Sequence, residues 1–366
     1  MSQNTIPEVM VLQQEQEKEE SPIKKLSFLD RYLSLWIILA MVIGTILGVY
    51  IPNFRNILNT TQIENVSLPV FIGLLLMLYP VFCKVRYEEL HYIIGKKESV
   101  SYILFSLITN WIVCPLIMVG LAWACLPDLP QFRVGVLMIG IARCIAMVLV
   151  WNHLAGGDPE WCAIFVAINS IMQMILFSFY AYLFTVTIGG SSTVAIDMWF
   201  VAKNVLIFLG IPFAGGLVTR LLLRFGTRKH EWYDNKLIPF ISPLALLGLL
   251  YTIFIMFALQ GSQMVDQIGP VFRTIVPLVL YFAITWFSAM FVCYLLKFPF
   301  NIAIPQAFTA SSNNFELAMA VAIATFGVDS HEALAATVGP LVEVPVLISL
   351  VYLTPVVAKY YKKTSE

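Results

Sequence analysis

Arg143 and Cys144 stand side by side inside the apolar run IARCIAMVLVWN, residues 141–152. An arginine in hydrocarbon is costly, and such residues usually face a cavity or a partner. A cation beside a thiol favours the thiolate, which is both a nucleophile and a soft ligand. The other clear charge deep in an apolar run is Glu316, in TASSNNFELAM, residues 309–319. A carboxyl group held in a low-dielectric span is suited to carrying a proton. A plain structural alternative is an Arg143–Glu316 pair that locks two helices together. On a continuous helix Cys144, Met147, Val148 and Trp151 share one face, and so do Glu316, Met319, Ala320 and Ile323. Stripes of this kind also serve as ordinary packing.

Enzymatic arrangements fail on spacing. His153 lies nine residues from Cys144, on the opposite face of a continuous helix. His91, His230 and His331 fall in loops or at span ends, and HEALA (331–335) lacks the second histidine of a zinc-protease motif. No phosphate-binding loop is present. The six cysteines, Cys83, Cys114, Cys125, Cys144, Cys162 and Cys293, form no CxxC pair. The expectation is a protein that is not an enzyme and carries no cofactor.

The elements that must position these residues are membrane helices. The 366-residue chain is 59% hydrophobic and 12% charged, with net charge +0, which excludes both a soluble surface and a nucleic-acid footprint. Apolar runs near twenty residues recur, and we read ten spans: 32–51, 68–83, 99–125, 134–154, 160–187, 199–223, 237–259, 270–296, 302–327 and 332–358. With the N-terminus cytoplasmic, only Arg55, Arg133, Lys203 and Arg273 among the 22 basic residues fall outside. Arg143 is in a span and the rest are inside, the bias expected of ten helices with both ends cytoplasmic. Residues 1–27, with QQEQEKEESPIKK, read as a disordered cytoplasmic tail, and 359–366 as a second tail.

The chain also matches itself at an offset of 172. RCIAMVLV (143–150) lies over FELAMAVA (315–322), Glu160 over Glu332 and Val166 over Val338. Spans four and five thus map onto nine and ten. The expectation is an all-α integral membrane fold of two inverted five-helix repeats, 28–190 and 191–358, of the kind common in transporters. Cys144 and Glu316 coincide at this offset. Ser311, Ser312, Asn313 and Asn314 are poor helix continuers, so span nine should break there. Span four has only Gly140 near the matching point, and its break follows from the symmetry.

Three stretches resemble the arsenite efflux permeases of the bile acid/arsenite/riboflavin transporter superfamily, the first most like fungal-type members. They are GIARCIAMVLVWNHLAGGD (140–158), ASSNNFELAMAVAIATFG (310–327) and GPLVEVPVLI (339–348). The resemblance implies ten spans with broken, crossing spans four and nine. It also implies export of arsenite, and in some members antimonite, against inward proton flow. By motif, Cys144 would be the arsenic-binding thiol and Glu316 the proton-coupling carboxylate, with Glu343 in support. Asn110, Arg143, Trp151, Asn169, Asn314 and Phe315 would fall at substrate-related positions, while Trp123 fits better as a membrane-interface tryptophan. The plasma membrane is the default location and the vacuolar membrane the alternative, with lipid as surroundings. On the same scaffold the rival function is sodium-coupled organic-anion symport, with Asn313, Asn314 and Glu316 on sodium.

Overall fold

The computed structural model describes residues 32–51, 53–85, 87, 97–184, 197–226 and 230–362. The expected N-terminal tail and the junction between the two repeats lie outside the described residues. The described chain is all helix apart from a two-residue hairpin, β1 (Gln62–Ile63) and β2 (Val66–Ser67). Its helices are α1 (Leu33–Tyr50), α2 (Leu68–Lys84), α3 (Ser99–Cys125), α4 (Pro130–Ile141), α5 (Met147–Leu154), α6 (Pro159–Tyr182), α7 (Met198–Arg224), α8 (Tyr233–Asp266), α9 (Ile268–Leu295), α10 (Phe300–Ser311), α11 (Phe315–Phe326) and α12 (His331–Lys362). Seven of these, α1, α3, α6, α7, α8, α9 and α12, are long and apolar enough to cross a bilayer. The shorter α2, α4 and α11 are also apolar. The chain is a multi-pass membrane protein.

Proline shapes the long helices locally. Pro115 has no N–H, so the carbonyl of Trp111 one turn back loses its helical partner. The helix widens over Thr109–Val113 just before it. The Tyr180 hydroxyl, from α6, donates to the Trp111 carbonyl at 2.6 Å. A wider turn also precedes Pro212 in α7 and Pro239 in α8.

The helices sort into two groups by their most extensive contacts. In one, α8 lies along both α1 and α2, and α7 packs on α2. In the other, α12 packs on α4, α9 and α11, with α3, α6 and α10 around them. Lipid solvates apolar side chains as well as protein does, so close backbone approach supplies much of the association in the first group. A methyl group on Gly248 of α8 would sit 2.5 Å from the Met77 backbone nitrogen of α2. Gly48 of α1 rests directly on the Ala258 carbonyl of α8.

Gly248→Ala should therefore separate α2 from α8 at a cost of about 1–3 kcal/mol. Gly120, with open space where its Cβ would be, serves as the control. Thermal unfolding in detergent should show a lowered midpoint for Gly248→Ala and none for Gly120→Ala. Equal midpoints would show that the contact is not close-packed.

Candidate functional site

The chain leaves helical geometry twice in its interior, and the two interruptions meet. After α4, Ala142 is extended, with φ −86° and ψ 102°, and helix resumes at Met147. After α10, Ser312 is extended, with φ −107° and ψ 151°, and helix resumes at Phe315. Arg143 and Asn313 pair there as an antiparallel bridge, with Asn314 N–H donating to the Ala142 carbonyl at 2.9 Å. A helix end in the bilayer interior needs partners for its last carbonyls. The Asn313 amide supplies them, donating to the carbonyls of Ile139 at 2.8 Å and Ala142 at 3.2 Å. The Asn314 side-chain oxygen caps α11 by accepting from Leu317 N–H at 3.0 Å. The side chains that break the second helix are thus the ones that satisfy both breaks.

The extended backbone sends neighbouring side chains to opposite sides. Arg143 and Cys144 therefore point apart. The Arg143 guanidinium, fully buried, donates to the Tyr281 hydroxyl of α9 at 2.9 Å and to the Gly140 carbonyl, with the Cys114 thiol alongside. Its backbone N–H donates to the Gln173 side-chain oxygen of α6. Neither the expected influence on Cys144 nor the alternative ion pair with Glu316 forms, because continuous helical geometry ends before Arg143. Arginine here is a tie between the two breaks. Tyr281 passes the connection on, donating to the Ala310 carbonyl in the last turn of α10 at 3.2 Å.

Cys144 faces the other way, with 3% of its surface exposed. Its sulfur accepts the Val148 N–H at 3.3 Å, so the thiol closes the N-terminus of α5. The sulfur thereby meets the N-terminal end of that helix. The Ser312 side chain faces the thiol, and Glu316 and Glu343 lie close enough to act on it electrostatically. Glu316 stands in the first turn of α11, as Cys144 stands at the start of α5. Glu343 comes from α12 and faces the Trp151 indole of α5 and the backbone of Asn313. Trp151 Nε1 and Glu343 Oε1 nonetheless close no hydrogen bond, and Ser311 Oγ, Asn313 Oδ1 and Asn314 Nδ2 are also buried without partners. Buried polar atoms are normally paired, and these five sit on the elements that carry the two breaks and Glu343.

The remaining expected residues make contacts of their own. Asn169 accepts the Trp111 indole N–H at 3.0 Å, linking α6 to α3. Asn110 donates to the Ser106 carbonyl one turn back at 2.9 Å. The Phe315 ring fills the space left by Gly339 of α12. Trp123 covers the guanidinium of Arg133, 3.7 Å from the ring centre. Gln173 and Tyr281 were not expected. The signal for Gln173 was its position one helical turn after Asn169. Tyr281 had none beyond a hydroxyl in an apolar helix. His153 is exposed and faces a separate cavity. Among the described residues no three His, Cys, Asp or Glu side chains converge as a metal site.

The model of the Sodium Bile acid symporter family matches residues 71–267. The chain is 44% identical over 333 residues to the Arsenical-resistance protein Acr3 of Corynebacterium glutamicum, covering 90% of this chain and 89% of that one. It is 31% identical to the Arsenical-resistance protein Acr3 of Alkaliphilus metalliredigens over 90% of this chain and 92% of that one. An uncharacterized transporter of Synechocystis is 29% identical over 93% of this chain and 92% of its own length.

Tyr281→Phe leaves both Arg143 and the Ala310 carbonyl short of a partner, and should cost about 1–3 kcal/mol. The expected result is a lowered thermal midpoint in detergent. Phenylalanine at 281 with an unchanged midpoint would show that the arginine is held by its other contacts alone.

Proposed function

The chain belongs to the arsenite efflux permeases of the Sodium Bile acid symporter family, and from that premise we propose that it exports trivalent arsenic by proton antiport. The observation that carries this reading is the buried Cys144 thiol at the crossing of two broken helices, with Ser312 facing it and Glu316 and Glu343 close enough to act on it. Arsenite at neutral pH is mostly an uncharged hydroxide, so attraction between charges cannot select it. A soft sulfur ligand can. One thiol binds weakly enough to release its cargo, whereas several would trap it. The Trp151 and Asn314 N–H groups can donate to arsenic-bound hydroxyls, and Glu343 can accept from one.

The transport cycle we propose is alternating access. With the site open to the cytoplasm, arsenite binds at Cys144 while Glu316 gives up its proton. With the site open outward, Glu316 is protonated again and arsenite leaves. Glu343 supports the proton step, and Arg143, Asn110, Asn169 and Phe315 hold the site's walls. One proton in for each neutral arsenite out moves one charge per cycle, worth about 2.3 kcal/mol per 100 mV. Antimonite, also thiophilic, is a second cargo.

The topology we propose is ten spans in two inverted five-helix repeats, 28–190 and 191–358, with α4–α5 and α10–α11 as the broken spans four and nine. Helices α4 and α10 are each twelve residues long, each ends in an extended break, and the breaks pair with one another. Both termini are cytoplasmic, and the plasma membrane is the useful location for export. Sodium-coupled anion uptake, suggested by the family's description, is the second reading. Against it, the Asn314 carbonyl is occupied in capping α11.

Cys144→Ser should abolish arsenite efflux and resistance in an arsenite-sensitive host, with the protein still present in the membrane. Retained resistance would remove the thiol from the mechanism. In the same cells Glu316→Gln should uncouple efflux from the proton gradient. Efflux with unchanged pH dependence in that variant would assign the proton to another group. Sodium-dependent uptake that survives Cys144→Ala would favour the symporter.

A further inference from the structure

Arg55, Lys203 and Arg273, all placed on the outer side by charge bias, make ion pairs. Two of those pairs stay within one helix group. Lys203 of α7 binds Glu64 of the β1–β2 turn at 2.7 Å, inside the group of α1, α2, α7 and α8. Arg273 of α9 binds Asp128, between α3 and α4, with both guanidinium nitrogens at 2.6 and 2.7 Å, inside the other group. Arg273 holds the exposed Asp128 carboxyl down at about 2, so that pair persists through the physiological range.

The third pair crosses. Arg55, in the helical turn Phe54–Leu58 after α1, binds Asp329, in the turn between α11 and α12. Gln263, in the last turns of α8, donates to the same Asp329 carboxylate and to its backbone carbonyl, both at 3.0 Å. Gln260 donates to the Val328 carbonyl at 2.8 Å, and Asn65 at the tip of the hairpin to the Ala324 carbonyl at 3.3 Å. Every one of these bonds joins the group of α1, α2 and α8 to the end of α11 or to the turn that follows it. At the opposite end the same two groups part around a cavity of about 350 Å³. Its walls include Val81 and Val85 of the α2 end, Leu149 and His153 of α5, and Ala163 of α6.

We infer that Asp329 is the outer latch of the transport path, a positioning residue whose carboxylate, gripped by Arg55 and Gln263, holds the two helix groups together while the opposite end is open. The inference rests on the transporter reading and its orientation. Helix α11 runs from Glu316 directly to this turn, so releasing the turn frees the element that carries the proton-coupling carboxylate. Asp329 is exposed, and an exposed ion pair is a modest interaction. That suits a latch, which must open once in each cycle. A group contributing this little shifts the balance of two conformations without abolishing either.

The test is labelling of Cys144 in intact cells by a membrane-impermeant maleimide, read by peptide mass spectrometry to separate it from Cys125. Asp329→Arg, which sets two cations against each other, should raise labelling about two- to fivefold over the natural chain. Combining it with Arg55→Asp restores the pair in reverse and should return labelling to the starting level. No rise in Asp329→Arg overturns the latch, as does a rise that the double variant fails to reverse. A rise seen only in inverted vesicles overturns its placement at the outer end. Thermal midpoints of the variants in detergent should match the natural chain, and a large drop in Asp329→Arg alone, unrepaired in the double variant, overturns a gating role in favour of a structural one. Labelling does not depend on the cargo, so arsenite efflux from the same cells separates failure of the latch from failure of the arsenite reading.

Discussion

Backbone polar groups deep in a bilayer must find partners inside the protein, and everything at this site follows from how two broken helices meet that demand. Each break frees carbonyls and N–H groups that water cannot reach. The Asn314–Ala142 bond and the Asn313 amide pair one break with the other. Neither break is satisfied alone, so the crossing is a single unit. Its two outgoing helices, α5 and α11, start within a few residues of the crossing, with Cys144 just before the first and Glu316 in the first turn of the second. A thiol and a carboxyl group are thereby held near one another without any contact between their own side chains being required.

The division of labour between Arg143 and Cys144 follows from the same geometry. In a continuous helix they would lie about 100° apart and could share an environment. In extended backbone they are directed oppositely. The cation then serves the scaffold, tying α4, α9 and α10 through Gly140, Tyr281 and Ala310. The thiol is left on the side where polar atoms lack partners. No carboxylate neutralises Arg143 among the described residues, so its charge is spread over carbonyl and hydroxyl oxygens.

Much of the architecture was legible in the sequence because apolar length is a strong signal. The break in α10–α11 was equally plain, since four consecutive Ser and Asn residues cannot continue a lipid-exposed helix. The break after α4 left almost no local trace. Arg143 and Cys144 are tolerable in a helix, and the partner that stabilises the interruption lies some 170 positions away. Contacts made across the fold were illegible for the same reason. Nothing near Arg143 names Tyr281 or Gln173, and nothing near Arg55 names Asp329. The positive-inside bias did single out Arg55, Arg133, Lys203 and Arg273 as exceptions, and Arg55, Lys203 and Arg273 have acidic partners.

In the transport cycle proposed for this chain, one sulfur, that of Cys144, holds the arsenic. X-ray absorption at the arsenic edge, on purified protein loaded with arsenite, tests it most directly. One sulfur neighbour is expected, with oxygen filling the remaining positions, and that sulfur should be lost in Cys144→Ser. An oxygen-only shell in the natural protein, or a sulfur neighbour that survives the substitution, would contradict it.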